Sequence, residues 1–365
     1  MVDDIVDALE KQNIRWSDYD WDGDSFVDQL IIVYAGKGMN SGGDANTIWP
    51  HQWWLSMHEN LETANPHDYR SYRTVTDGET SYNIDCYCCA QEMTSNGKTY
   101  ASFGTICHEY SHCLGLPDFY NDNSSILYTW DLMDSGCYNG SGMCPCNYSA
   151  HERMAMGWLS PIELTAPTSI ALMPPLSEEP VAYLIRNDAA ENEFYILENR
   201  QKTGWDQFLP ADGIVIFHIE FDEFIWKMGL PNSNDRKRYH IIPANNKTNS
   251  TEAKNWAYPY IQTDNQGNNS IVNDSLTDTS KPAATLNNPN VSGKLLMSKP
   301  ITKMALDANG LASFTFLDGQ EISVRQIPYG GQTDDAWYLP DGRRLPGHPT
   351  APGLYISNGR KVVVN

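Results

Sequence analysis

The sequence predicts an α+β chain, with a metal-dependent module first, an all-β module second and a short β tail last. Three observations predict this order. Segment 102–118, SFGTICHEYSHCLGLPD, carries two histidines at helical spacing. Beyond residue 161 the apolar pattern turns strand-like. From residue 320 short apolar runs are separated by the hairpin signals Pro340-Asp341-Gly342 and Asn358-Gly359. The expected domains are therefore 1–160, 161–319 and 320–365.

The first module opens with a helix over residues 1–13, with Ile5, Val6 and Leu9 apolar. Asp18, Asp20, Asp22 and Asp24 then alternate around Gly23, with Asp28 beyond. Carboxylates spaced this way around a turn wrap calcium in oxygen ligands. Asp18, Asp20 and Asp22 fit loop positions one, three and five, and Asp24 stands at seven. Gln29 occupies position twelve where an EF-hand has Glu, and Leu30 to Tyr34 reads as a buried strand, not a second helix. The reading is a calcium loop feeding a strand, against the alternative of a solvated acidic turn. His51, His58 and His67 lie in an irregular Gly-, Asn- and Trp-rich stretch and receive no metal role. Asp85 to Gln91 reads as an edge strand, the kind that binds an extended peptide by adding a strand.

The central segment carries the chemistry. On a helix, His108 and His112 stack on one face, where two ring nitrogens can hold one zinc ion. Glu109 stands beside that face, placed to hydrogen-bond an attacking water and not to ligate. Phe103, Ile106, Cys107, Tyr110 and Leu114 fall on the opposite side, which is expected to face the core while the histidine side faces a cleft. Gly115 can end the helix in the left-handed conformation, and the returning chain would bring Asp118 to the metal as third ligand. In WDLMDSG, Met133 sits in a tight turn expected to floor the metal, the alternative being an ordinary core methionine. Downstream, Tyr148 is a candidate oxyanion donor or a packing residue. His151, in a helix from about Ser149 to Gly157, is expected to cap it or face solvent.

All eight cysteines lie between Cys86 and Cys146. An even number in so short a span suits disulfides in an oxidising compartment, with about 105 possible pairings. A structural zinc site on the Cys86, Cys88, Cys89 and Cys144, Cys146 groups is the competing reading.

Beyond residue 161 VAYLIRN, EFYILENRQ, GIVIFHIE and ISVRQI read as strands, and the region from about Ile162 to Gly319 as a β-sandwich. His218, Glu220, Asp222 and Glu223 are either plain strand residues or a second cation site. Residues 245–293 read as exposed loops.

The chain has 365 residues and a net charge of −21, with a pI of about 4.7. That balance argues against nucleic-acid binding and suits an exported protein with cation-binding loops. No apolar run reaches the length of a membrane span. The acidic start MVDDIVDALE is not a signal peptide.

HEYSHCLGLPDFY, WDLMDSG, SDYDWDGDSFVDQLIIVYAG, ERMAMGWLSP and FYILENRQKTGWDQFLPADGIVIFHIEFDE together resemble the immune-inhibitor-A family of secreted bacterial zinc metalloproteases. The resemblance runs from about Ser17 to about Glu223, more weakly to Gly319. It implies a metzincin-like zinc protease fold with Met133 in the Met-turn, although Ser135 stands where some metzincins carry a tyrosine. It further implies Zn2+ on His108, His112 and Asp118, with Glu109 as general base. Substrates would be proteins or peptides, cleaved by a monomer at the cell surface or in the medium. The family is exported as a zymogen, so the chain reads as N-terminally truncated, lacking the signal, an inhibitory propeptide and the first part of the catalytic domain. LYISNGRKVVVN is similar to C-terminal sorting tails, against a reading as one more β-hairpin. Two other classes stay open. One is a catalytically inactive metallopeptidase-fold binding or adhesin module, and the other a β-protein with a chance HExxH.

Overall fold

The computed structural model describes residues 1–58, 71–121, 124–229, 231–233 and 236–318, with short stretches between 337 and 364. The chain is α+β and divides into two compact units. The first comprises Met1–Asn147, Trp205–Leu209 and Asp222–Asp235, and the second Tyr148–Gly204, Pro210–Phe221 and Arg236–Asn365. The division therefore falls before the expected residue 160, and two later segments return to the first unit.

In the first unit, α1 (Val2–Leu9) buries Val2 and Val6. It stops short of residue 13 because Lys11, Gln12 and Asn13 offer nothing apolar to bury. Five strands follow: β1 (Ile31–Lys37), β2 (His51–Trp54), β3 (Arg73–Asp77), β4 (Thr80–Ile84) and β5 (Cys86–Met93). β3 and β4 form a hairpin through Gly78, whose φ is +63°. The other three make a sheet in the order β1-β5-β2, with β5 parallel to β1 and antiparallel to β2.

Two expectations are corrected here. β5 is the central strand, so its backbone is already paired on both sides and the edges are β1 and β2. β1 is not buried throughout: Ile31 and Val33 are 49% and 64% exposed, while Ile32 and Tyr34 join the core of Val6, Trp16, Val75 and Ile84. An edge strand covered on one face alternates.

The second unit begins with α3 (Ala150–Ala155), whose N-cap Ser149 forms a capping box with Glu152. β6 (Ile162–Glu163), β8 (Tyr183–Asn187), β9 (Ala190–Arg200), β10 (Gly213–Glu220) and β11 (Tyr239–Ile241) form a five-stranded sheet in the order β11-β10-β9-β8-β6. The sheet is mixed, because β6 runs parallel to β8. β7 (Thr168–Met173), β14 (Ile301–Leu306) and β15 (Ala312–Phe316) form a three-stranded sheet, and β12 (Tyr260–Thr263) pairs with β13 (Asn269–Asn273). Ile185, Leu197 and Ile216 of the larger sheet share one apolar core with Ile170, Met304 and Phe314 of the smaller.

Residues 245–293 are not wholly exposed loops, since Trp256, Tyr258, Leu276 and Ala284 are buried. Their apolar side chains sit at irregular intervals that no periodicity reveals. The tail is more than a hairpin. β16 (Trp337–Tyr338), β17 (Arg344–Leu345), β18 (Gly353–Ser357) and β19 (Arg360–Val364) form a four-stranded antiparallel sheet. The expected strand ISVRQI, both tail turn signals and His67 lie outside the described residues.

Candidate metal centre

The centre is built on α2 (Gly104–Cys113). A Cβ at Gly104 would come within 1.9 Å of the Cys137 carbonyl oxygen, so only glycine fits where the helix begins. At the other end Gly115 takes φ +89°, its N–H donating to His112 O at 2.9 Å while Leu116 N–H donates to Ser111 O at 3.2 Å. This pair of bonds is a Schellman stop, and it reverses the chain toward Asp118.

His108 Nδ1 donates to Leu132 O at 2.9 Å and His112 Nδ1 donates to Leu116 O at 2.7 Å. A carbonyl oxygen only accepts, so each Nδ1 carries the proton and each Nε2 presents a lone pair. Both Nε2 atoms face Asp118 Oδ1, at 3.0 and 3.4 Å. That oxygen is buried and has no hydrogen-bond donor among the described residues. With both rings neutral, three acceptors converge without a donor, an arrangement that a proton or a metal cation satisfies. Two ligand atoms about 2.0–2.1 Å from one tetrahedral zinc lie roughly 3.3 Å apart, close to both separations. Glu109 is also close, with a carboxylate oxygen within 4.8 Å of a ring nitrogen of each histidine.

The centre opens on a cleft of about 330 Å³, lined among others by Trp49, Pro50, Thr105, His108, Glu109 and Tyr120.

Residues 9–158 match the family model described as immune inhibitor A peptidase M6, catalytic domain. This stretch is similar to an M6 peptidase catalytic domain. It is similar to immune inhibitor A of Bacillus thuringiensis subsp. alesti, 26% identical over 166 residues, which is 42% of this chain and 22% of the relative. It is also similar to the pre-pro-metalloprotease PrtV of Vibrio cholerae serotype O1, 28% identical over 177 residues, or 41% of this chain and 17% of the relative. The matched stretch thus spans less than a quarter of these curated relatives. The match is to the catalytic domain of a peptidase family, and one of these relatives is named a metalloprotease.

The electrostatics of the centre follow from the same contacts. Burial disfavours a charged His108, but the hydrogen bond and charge of Asp118, with Glu109 behind, outweigh it and raise its pKa to about 9. Burial likewise raises Glu109, partly offset by the two histidines, while Asp118 is held well below the usual carboxylate range: burial opposes this, and its contacts with both histidines prevail. In the metal-free chain a proton therefore occupies the place of the cation. Zinc must displace it. Zinc binding at pH 7 is expected to release about one proton, falling toward none above pH 10. Calorimetry in buffers of different ionisation enthalpy reads this number directly.

The buried side of α2 is the chemical one. His108, Glu109 and Ser111 are buried, whereas Ile106, Cys107 and Tyr110 are only half-buried and Phe103 is exposed. The histidine side faces the cleft as expected, but the apolar side is not the buried one. β5 and the 135–142 turn pack against α2.

Met133 is fully buried, and its carbonyl accepts from Phe119 N–H at 3.0 Å, tying the turn to the Asp118 segment. The same segment is braced by two residues from far down the chain: Asn232 Nδ2 donates to Phe119 O at 2.8 Å and Trp226 Nε1 donates to Gly115 O at 2.9 Å. Sequence reasoning missed these braces, which no local pattern announces. It also missed Asp134, whose buried carboxylate accepts from Ile126 and Leu127 N–H, both at 2.8 Å, and from the Ser125 and Ser135 hydroxyls. The paired acids of DLMD were the available signal. Asp134→Ala leaves several buried donors without an acceptor and is expected to cost about 3–5 kcal/mol, read as a lower urea midpoint.

Other expected residues fall elsewhere. The phenols on the cleft are Tyr120 and Tyr138, while Tyr148 belongs to the second unit and packs edge-on against Trp158. Tyr120 stacks over His108 and hydrogen-bonds Asp118. His51 and His58 both reach the Tyr87 hydroxyl at 3.0 Å.

Of the acidic loop, Asp20, Asp22 and Asp28 place carboxylate oxygens within 4.8 Å of one another. Asp18 instead pairs with Arg15 at 2.8 Å, and Asp24 caps Phe26 N–H at 2.7 Å. His151 is buried among Phe194, Phe221 and Tyr239, not solvent-facing, and burial lowers its pKa to about 3. The supposed second cation site is taken up by protein partners: His218 by Glu193 at 2.7 Å, Glu220 by Arg236 at 2.6 Å, Asp222 by Ile225 N–H at 3.0 Å and Glu223 by Lys227 at 2.7 Å. Among the described residues, which include all eight cysteines, no disulfide is formed, so the expected bridges are not present here.

Proposed function

We propose that the chain is a secreted or cell-surface zinc metalloendopeptidase, with His108, His112 and Asp118 as zinc ligands and Glu109 as general base. One observation carries this reading: two lone-pair nitrogens and a carboxylate oxygen meet at 3.0 and 3.4 Å without a donor between them. When bound there, zinc would acidify a water toward neutral pH and polarise the scissile carbonyl. The protein's own groups handle the protons. Glu109 takes the proton of the attacking water and delivers it to the leaving amine, and its burial-raised pKa suits both tasks. Tyr120 and Tyr138, in place of Tyr148, offer hydroxyls to the developing oxyanion. Met133 packs under the centre without chemistry.

β2 is the sheet edge that follows the cleft residues Trp49 and Pro50, so an extended peptide would pair along His51–Trp54 and bring its scissile bond to Glu109. Calcium would be held by Asp20, Asp22 and Asp28. The chain would act as a monomer on protein substrates, restrained before activation by a propeptide. The second unit's paired sheets would form the β-sandwich. An inactive binding module is not favoured, because no member of the catalytic set is replaced.

The test is hydrolysis of a denatured protein by the purified chain. Activity should vanish with a zinc chelator and return on stoichiometric zinc. Hydrolysis indifferent to chelation would sink the reading.

A further inference from the structure

We propose that Cys113 and Cys86 form an oxidation-dependent cross-link that fastens the end of α2 to β5. Cys86 and Cys88 are two residues apart on β5 and share one face of the strand. α2 packs against that strand, and Cys113 is its last residue. The Cys113 thiol is in hydrogen-bonding contact with both Cys86 and Cys88. It also reaches the carbonyl of Glu109 at 3.8 Å, one turn back. Cys86 and Cys113 are half-buried, whereas Cys88 is buried, so a small reagent meets the first two. Cys86 is further held by Gln52 Nε2, which donates to its Sγ at 3.3 Å.

The chemistry balances with a low-molecular-weight disulfide as oxidant. Cys86, whose contacts with Cys113 and Gln52 favour its thiolate, attacks one reagent sulfur, breaking the reagent S–S bond and releasing one small thiolate. Cys113 then gives up its proton and attacks the Cys86 sulfur, expelling the second small thiolate. Two protein thiols lose two electrons and two protons, and the reagent becomes two thiols. The new bond closes the loop that contains most of α2 and so restricts the unfolded chain. It fastens the helix one residue after His112, at the point where the Schellman stop begins.

The test needs no peptidase activity, so its failure is separate from failure of the proposed function. The purified full chain is incubated with oxidised glutathione, its remaining thiols are alkylated, and its non-reduced peptides are mapped by mass. The expected result is a Cys86–Cys113 linked peptide that disappears with dithiothreitol. The unfolding midpoint should also rise by about 5–10 °C in the oxidised chain and not in Cys113→Ser. Alkylation of both Cys86 and Cys113 after oxidation, or linkage of Cys113 to any other cysteine, overturns the proposal. The wild-type comparison of oxidised with reduced protein holds even if the variant fails to fold.

Discussion

Glu109→Gln is expected to lower kcat for peptide hydrolysis about 10³-fold while stoichiometric zinc stays bound. Glutamine keeps the volume of the side chain but cannot accept a proton from water. Glu109 is buried on the cleft wall within 4.8 Å of a ring nitrogen of each histidine, while Asp118 Oδ1 faces both Nε2 atoms at 3.0 and 3.4 Å. Its removal should therefore spare the metal and cost the proton transfer. Metal analysis beside a kcat measurement separates the two. A variant within tenfold of wild type would remove Glu109 as the base, and one that loses its zinc would make it a ligand instead.

Asp118→Ala is expected to weaken zinc binding by at least about 100-fold and to abolish hydrolysis at limiting zinc. The change also alters the metal-free chain in a pH-dependent way. His108 has its pKa raised from 6.5 to about 9, so its share of stability is fully present below 6.5 and lost as pH rises through about 9. Asp118 is depressed, so its share is present above the ordinary value of 3.8 and lost as pH falls below it. The metal-free wild type should therefore exceed the variant in stability between about pH 4 and pH 9, with the gap closing at both ends. Denaturant midpoints across that range in the presence of a chelator read the gap. A gap that stayed constant from pH 5 to pH 10 would show that His108 and Asp118 do not share a proton.

Much of the centre was legible because its parts are local. Histidines four apart share a helix face whatever surrounds them, and Gly115 was read as a left-handed stop from its position alone. The return to Asp118 is a few residues long, too short to wander. The acidic loop was legible only in part, since Arg15 captures Asp18, and Arg15 precedes the pattern that was read. Tyr148 stands downstream of the turn and packs on Trp158. The tyrosine that stacks on His108 lies two residues after Asp118.

By itself the sequence determined the helix, its stop, the donor set and the change of periodicity at the second module. Each depends on sterics and hydrogen bonds between residues a turn or two apart. Only the tertiary structure decided that β5 is central, that the apolar side of α2 is no more than half-buried, and that Trp226 and Asn232 brace the Asp118 segment. Those outcomes depend on which distant surfaces meet. Neither burial of a face nor position within a sheet is a property of one segment, because each is set by the partner that covers it.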